Sequence, residues 1–135
     1  KQFINAFGEE LMVENAERAI QVACDRTNAI VADFTGAPIF MNEGNQGGHE
    51  WGIEFSVEPD NFDFFVDAFD TALKSVNSDY EAKRYKDFVL LPPKVHNLPP
   101  GTFYSWLKKK GKLGGQNKVP RLSNSRKYLD EVLAV

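Results

Sequence analysis

Between Asp87 and Asp130 the chain carries no acidic residue, and inside that gap lies the string Gly111-Lys-Leu-Gly-Gly-Gln-Asn-Lys-Val-Pro-Arg121. A glycine-rich segment that ends in lysine, with no carboxylate beside it in sequence, has the composition of an anion site. Backbone amides around Gly114, Gly115 and Gln116 can line a phosphate or carboxylate, and Lys118 adds a compact positive charge. Pro120 biases Val119 towards an extended conformation, so Lys118 is expected on a short stiff segment directly after a loop. The string is not a P-loop, because valine rather than serine or threonine follows Lys118. Residue types alone leave two readings open: an anion site centred on Lys118, or a solvated basic loop.

The remaining chemistry-bearing residues are sparse. His49 precedes Glu50, but a His-Glu-x-x-His zinc site needs a second histidine at position 53, which is isoleucine. His96 has no carboxylate cluster near it in sequence, so no metal site is expected. Tyr80 and Arg84 lie one helical turn apart, the spacing of a surface cation-π pair. Cys24 is the only cysteine. It falls beside an apolar helical stripe with nothing basic to activate it, which makes it a core residue and excludes a disulfide within the chain.

The elements that must position these residues follow from periodicity. Glu9 to Thr27 has one apolar helical face, built from Met12, Ala16, Ala19, Ile20 and Ala23. Ala29 to Thr35 is strand-like, a turn is expected at Gly36-Ala-Pro38, and Ile39 to Met41 resumes pairing. Asn42 to Gly48 reads as a flexible loop. Trp51, Ile53, Phe55 and Val57 alternate with small or polar residues as in a half-buried strand. A helix carrying a phenylalanine stripe spans Phe62 to Val76. Ser78 with Glu81 predicts a capping box opening a helix to about Lys86. Phe88 to Leu91 and Lys94 to Asn97 read as short strands split by a proline pair. Thr102 to Lys110 is a helix capped by Gly111, and Ser123 or Asn124 opens a final helix. The order predicts an α/β fold: a small mixed β-sheet flanked by helices on its faces, as a two-layer or three-layer sandwich.

The 135 residues suit one domain covering the whole chain, enough to bury roughly two-thirds of the unfolded surface. No apolar run approaches the ~20 residues that cross a bilayer, so a soluble domain without membrane partners is expected, and the lone cysteine fits a cytoplasmic location. The chain begins with Lys1 and reads as a piece cut from a longer protein, with residues 1–8 as a hinge or boundary segment. The net charge of -3 hides a division. Residues 1 to 73 hold fourteen acids and three bases, whereas residues 74 to 135 hold thirteen bases and five acids. Two charged halves that attract each other in the fold explain most of this asymmetry. A nucleic-acid-binding module using Lys108 to Lys110 is a competing reading, opposed by the acidic overall balance. A ferredoxin-like regulatory or dimerisation domain is another.

Four motifs in order add a resemblance over most of the chain. Gly48-His49 ahead of an aromatic strand, Asn77-Ser-Asp-Tyr80 with Arg84, Pro100-Gly-Thr-Phe103, and Gln116-Asn-Lys-Val-Pro-Arg121 resemble the C-terminal segment of the auxin-responsive promoter (Gretchen Hagen) family of acyl-acid amido synthetases. The likeness is to bacterial-type members, within the adenylate-forming superfamily of acyl-CoA synthetases, luciferases and peptide synthetases. The loop before Gln116 is a residue shorter than in plant members, and Lys112-Leu113-Gly114-Gly115 stands where those have serine and isoleucine. The resemblance implies a mobile C-terminal domain that serves a large N-terminal adenylation domain of the same protein and is inactive alone. It implies ATP with Mg2+ held mainly by that N-terminal domain, and a carboxylic acid and an amino acid as substrates. By motif match Lys118 is the catalytic lysine, bridging the acyl carboxylate and the α-phosphate. Arg121 and Gln116 would contact the nucleotide or hold the loop. His49 would face the acceptor, and Tyr80 and Arg84 would dock the domains. A monomer with no nucleic-acid partner is expected.

Overall fold

The computed structural model describes residues 2–111 and 118–135. Two short strands, β1 (Phe3–Ile4) and β2 (Leu11–Met12), pair antiparallel and lead into helix α1 (Val13–Thr27). Strands β3 (Ile30–Met41) and β4 (Gln46–Val57) form a long antiparallel hairpin. Helices α2 (Phe62–Val76) and α3 (Ser78–Arg84) follow. Strand β5 (Lys94–Leu98) then pairs parallel with β4, and helices α4 (Thr102–Lys109) and α5 (Lys127–Leu133) close the chain.

The central sheet has the order β3-β4-β5, and its alternation sorts side chains to two faces. Trp51, Ile53 and Phe55 point to the α1/α2 side, where they pack with Phe65, Phe69 and Leu73 in the larger core. Gly52 faces the other way, towards Leu98 and Leu129. A second, smaller core of Leu98, Phe103, Trp106, Val119 and Val132 lies under α4 and α5. The fold is therefore a mixed sheet between two helical layers, the α/β sandwich that the pattern of elements predicts. Each fully buried Phe or Leu contributes about 1.5–3 kcal/mol, so the phenylalanine stripe of α2 is the chief source of adhesion on its face.

Several boundaries differ from the sequence expectation, each for a physical reason. The first helix starts at Val13 rather than Glu9, because Glu10 takes a positive φ of 37° and Leu11-Met12 are used for pairing. Its start is secured by Asn15, whose side chain accepts the Met12 amide, and its end by Asn28 in the left-handed region. No turn interrupts β3 at Gly36-Ala-Pro38. The amide of Gly36 points out of the sheet edge to Arg121, so two residues later the missing N–H of Pro38 falls on the same outward side and removes no bond to β4. Asn42 to Gly48 is not a loop throughout. Only Asn42–Gly44 form a single 3-10 turn, and β4 begins at Gln46.

Asn77, not Ser78, caps α3 by accepting the Tyr80 amide. The helix ends at Arg84, and Lys86 at φ 50° breaks it into a 3-10 turn. Of the two strands expected around the proline pair, only Lys94–Leu98 forms, and Leu90 makes a single bridge to Gly47. Helix α5 begins at Lys127, with the Ser125 hydroxyl accepting its amide, while Asn124 accepts the Asn5 amide instead. Residues 2–8 are the described part of the expected hinge or boundary segment. Ile4 is fully buried, Gln2 bonds the segment before α5, and Gly8 supplies a turn at φ 97° between β1 and β2.

Candidate active site

Lys118 stands at the start of a short extended segment pinned along the outer edge of β3. The Gly36 amide donates to the Arg121 carbonyl at 2.9 Å, and the Ser123 amide donates to the Gly36 carbonyl at 3.1 Å. The Thr35 hydroxyl donates to the Pro120 carbonyl at 2.7 Å. On the opposite side the Gln2 side-chain carbonyl accepts the amides of Arg121 and Leu122, at 3.0 and 3.3 Å. Val119 is buried in the smaller core and Leu122 in the larger, so the segment is anchored on both faces of the sheet. Lys118 itself is exposed. The stiff platform that Pro120 predicts is present, and it delivers one ammonium group to solvent.

The acid-free neighbourhood holds along the sequence but not in space. A groove of about 510 Å3 beside Lys118 is lined by Glu14 and Glu17 of α1 and Asp33 of β3, together with Arg121. Arg121 is occupied as a strut: it pairs with Glu17 at 2.8 Å, stands 3.6 Å from Asp33, and lies over the Phe34 ring at 4.8 Å. Burial raises the Asp33 carboxyl above its usual range, while the Phe34 amide, Arg121 and Lys118 pull it partly back. Among the described residues no carboxylate forms an ion pair with Lys118. The two basic side chains thus divide the work, Arg121 holding the segment and Lys118 remaining available. Gly114, Gly115 and Gln116 lie outside the described residues.

His49, Tyr80 and Arg84 are placed together, but in the interior. His49 is 1% exposed and its Nε2 lies 2.6 Å from Glu9 Oε2. Its ring packs against Tyr80 with centroids 5.5 Å apart. Burial works against ionisation of Glu9, but the hydrogen bond to His49 and the amides of Ala6 and Phe7 outweigh it and bring its carboxyl down to about 2. Tyr80 and Arg84 do not form the surface cation-π pair their spacing suggests. Both converge on Asp70, the tyrosine hydroxyl at 2.7 Å and the guanidinium through Nε at 3.0 Å and Nη2 at 2.5 Å. Burial and the Asp70 carboxylate push the Tyr80 hydroxyl well above its usual range. All three side chains are buried within this domain, where they tie α2, α3 and β4 into one body. The Asn77 and Pro100 motifs are likewise structural knots. Asn77 joins α3 to the Glu9–Glu10 backbone, and the amides of Gly101 and Phe103 bond to Glu54 of β4.

His96 does have a carboxylate beside it. Its Nε2 lies 2.7 Å from Glu50 Oε2, and Arg126 Nη2 lies 2.6 Å from Glu50 Oε1. Burial opposes ionisation of Glu50, yet these bonds hold its carboxyl below the usual range. Among the described residues no three His, Cys, Asp or Glu side chains converge as a metal site. Cys24 is buried in the larger core, as its place in the helix predicts, and burial raises its thiol. Lys110 of the Lys108–Lys110 run is engaged with Glu131 at 3.2 Å. No described helix is long and apolar enough to cross a membrane.

Comparison with known proteins places this geometry. The family model for the GH3 family C-terminal domain matches residues 14–127. Two similar solved structures are a GH3.15 acyl acid amido synthetase, with a TM-score of 0.75, and AtGH3.15 acyl acid amido synthetase in complex with 2,4-DB, with a TM-score of 0.76. Each is 18% identical to this chain and aligned over 99% of it, but only 25% of the other chain is covered. The chain thus spans about a quarter of the length of these structures, and at that identity the likeness is one of fold. No curated protein sequence matches the chain.

Proposed function

The chain belongs to the GH3 family, as a C-terminal domain of that family, and from this premise we propose that it is the C-terminal domain of an ATP-dependent acyl-acid amido synthetase. In the first half-reaction a carboxylate oxygen attacks the α-phosphorus of ATP, giving an acyl-adenylate and pyrophosphate. In the second, the amine of an amino acid attacks the acyl carbon, forming an amide and releasing AMP. Negative charge crowds at the α-phosphorus in the first step, and a compact ammonium aimed at that point stabilises it. Lys118 is that group. The observation that carries this reading is an exposed lysine on a rigid segment, inside a chain whose family match includes it.

The groove beside Lys118 is unsuited to holding a triphosphate by itself, since Glu14, Glu17 and Asp33 would repel it. ATP, its Mg2+ and the acyl acid therefore belong on an N-terminal adenylation domain of the same protein, into which Lys118 reaches. The test is Lys118→Ala in the full-length enzyme, read by acid-dependent ATP–pyrophosphate exchange. Loss of one such donor costs on the order of 2.7–4 kcal/mol, so adenylation should slow by ~100-fold or more. Transfer from a supplied acyl-adenylate should survive much better, because that step develops no charge at phosphorus. Adenylation at a near wild-type rate would return Lys118 to the status of a solvated surface lysine.

A further inference from the structure

We propose that Thr35 is a positioning residue for Lys118, its hydroxyl fixing the point along the β3 edge at which the lysine leaves the sheet. This rests on the assignment of Lys118 to adenylation. Thr35 is 1% exposed, and its hydroxyl donates to the Pro120 carbonyl at 2.7 Å. Proline has no N–H, so that carbonyl is the only backbone hydrogen-bonding group Pro120 owns, and it lies two residues after Lys118. The bonds from Gly36 to Arg121 and Ser123 secure the segment further along, and the Gln2 side chain takes the amides of Arg121 and Leu122 from the other side. The Thr35 bond is thus the tie to β3 closest to the lysine. Val119 in the smaller core keeps that end from lifting, but packing of an apolar side chain does not fix a position along the edge, so without the Thr35 bond the end that carries Lys118 can slide while the Gly36 bonds remain. A displacement of ~1 Å at a reacting group is enough to cost ~100-fold in rate.

The test uses the full-length enzyme and both half-reactions. Thr35→Val keeps the shape of the side chain and removes the donor; Thr35→Ser keeps the donor. Thr35→Val should lower kcat of adenylation by about tenfold or more with KM for ATP and acid little changed, and should leave transfer from a supplied acyl-adenylate near wild type. Thr35→Ser should recover most of the rate. In a Lys118→Ala background, Thr35→Val should have no further effect, since there is no ammonium left to misplace. Gln2→Ala, at an exposed position that does not threaten folding, should show a smaller loss with the same dependence on Lys118. Equal slowing of adenylation by Thr35→Val with and without Lys118 would overturn the proposal, as would a Thr35→Ser variant no better than Thr35→Val. If Lys118→Ala is slow while Thr35→Val and Gln2→Ala are both neutral, the positioning role fails and the lysine stands. If Lys118→Ala is itself neutral, the functional assignment fails first.

Discussion

Asp70 carries more of the interior than its type suggests: it holds the hydroxyl of Tyr80 and the guanidinium of Arg84, whose side chain is 5% exposed. A buried guanidinium left without its main carboxylate cannot be rehydrated in place, so Asp70→Ala should destabilise the domain by about 3–5 kcal/mol, measured by urea unfolding. A loss below about 1 kcal/mol would mean that Asp87, which also bonds Arg84, suffices alone. At Lys118 the discriminating replacement is arginine. A planar fork cannot occupy the place of a compact ammonium, so Lys118→Arg should restore only a small part of the adenylation lost in Lys118→Ala. A fully active arginine variant would show that charge alone is required. Lys118 can be proposed from the sequence because its signals are local, with glycines before it and Pro120 two residues after. Thr35, Glu9 and Asp70 cannot be, because their partners lie 85, 40 and 14 residues away. Proximity of that kind is created by folding and leaves no spacing pattern. The same limit explains why Tyr80 and Arg84 looked like a surface pair: their shared helical face is visible in the sequence, but the carboxylate it faces is not.

At the scale of elements, the β1–β2 hairpin is locked to the sheet through Glu9 and His49. A carboxyl at about 2 in the folded state, against 4.5 when free, stabilises the fold by roughly 3 kcal/mol above the free value. The folded value is the lower one, so this contribution is complete above about pH 4.5 and fades as pH falls towards 2. The urea midpoint of the domain should therefore fall more steeply between pH 5 and pH 2.5 than that of Glu9→Gln. Parallel curves for the two proteins would remove Glu9 from the acid transition. The β3–β4 hairpin depends on a different detail. A Cβ at Gly36 would lie 2.6 Å from Trp51 Cε3, and Trp51 is fully buried with its ring edge-on to Phe69. Gly36→Ala should cost about 1–3 kcal/mol through overpacking, and a neutral result would show that the indole can shift. This is also why Gly36-Ala-Pro38 misleads as a turn. Glycine and proline usually punctuate strands, but here the glycine makes room for an indole on the opposing strand and the proline turns its ring to an unpaired edge.

For the molecule as a whole, the sandwich was legible because both periods are strong in this sequence: the phenylalanine stripe of α2 and the alternation of β4 each define a buried face. The division of charge was legible too. Arg84, Arg121 and Arg126 of the basic half meet Asp70, Glu17 and Glu50 of the acidic half, so the chain neutralises itself across the fold. A domain assembled this way should fold in isolation as a monomer yet exchange no pyrophosphate, because the proposed catalysis draws on this domain for one lysine only. Acid-dependent exchange by the isolated domain would contradict that division of labour. The segment from Lys118 to Ser123 has a second consequence. Strand β3 is twelve residues long and lies at one border of the sheet, where unpaired amides and carbonyls can recruit a strand from another molecule. The residues that present Lys118 occupy the middle of that border, and Pro38 blunts the stretch beyond them. The tether of the lysine is therefore also a guard against self-association: a variant that frees this segment to swing should aggregate, and under the proposed function any motion of the lysine between half-reactions would be a motion of the domain as a unit.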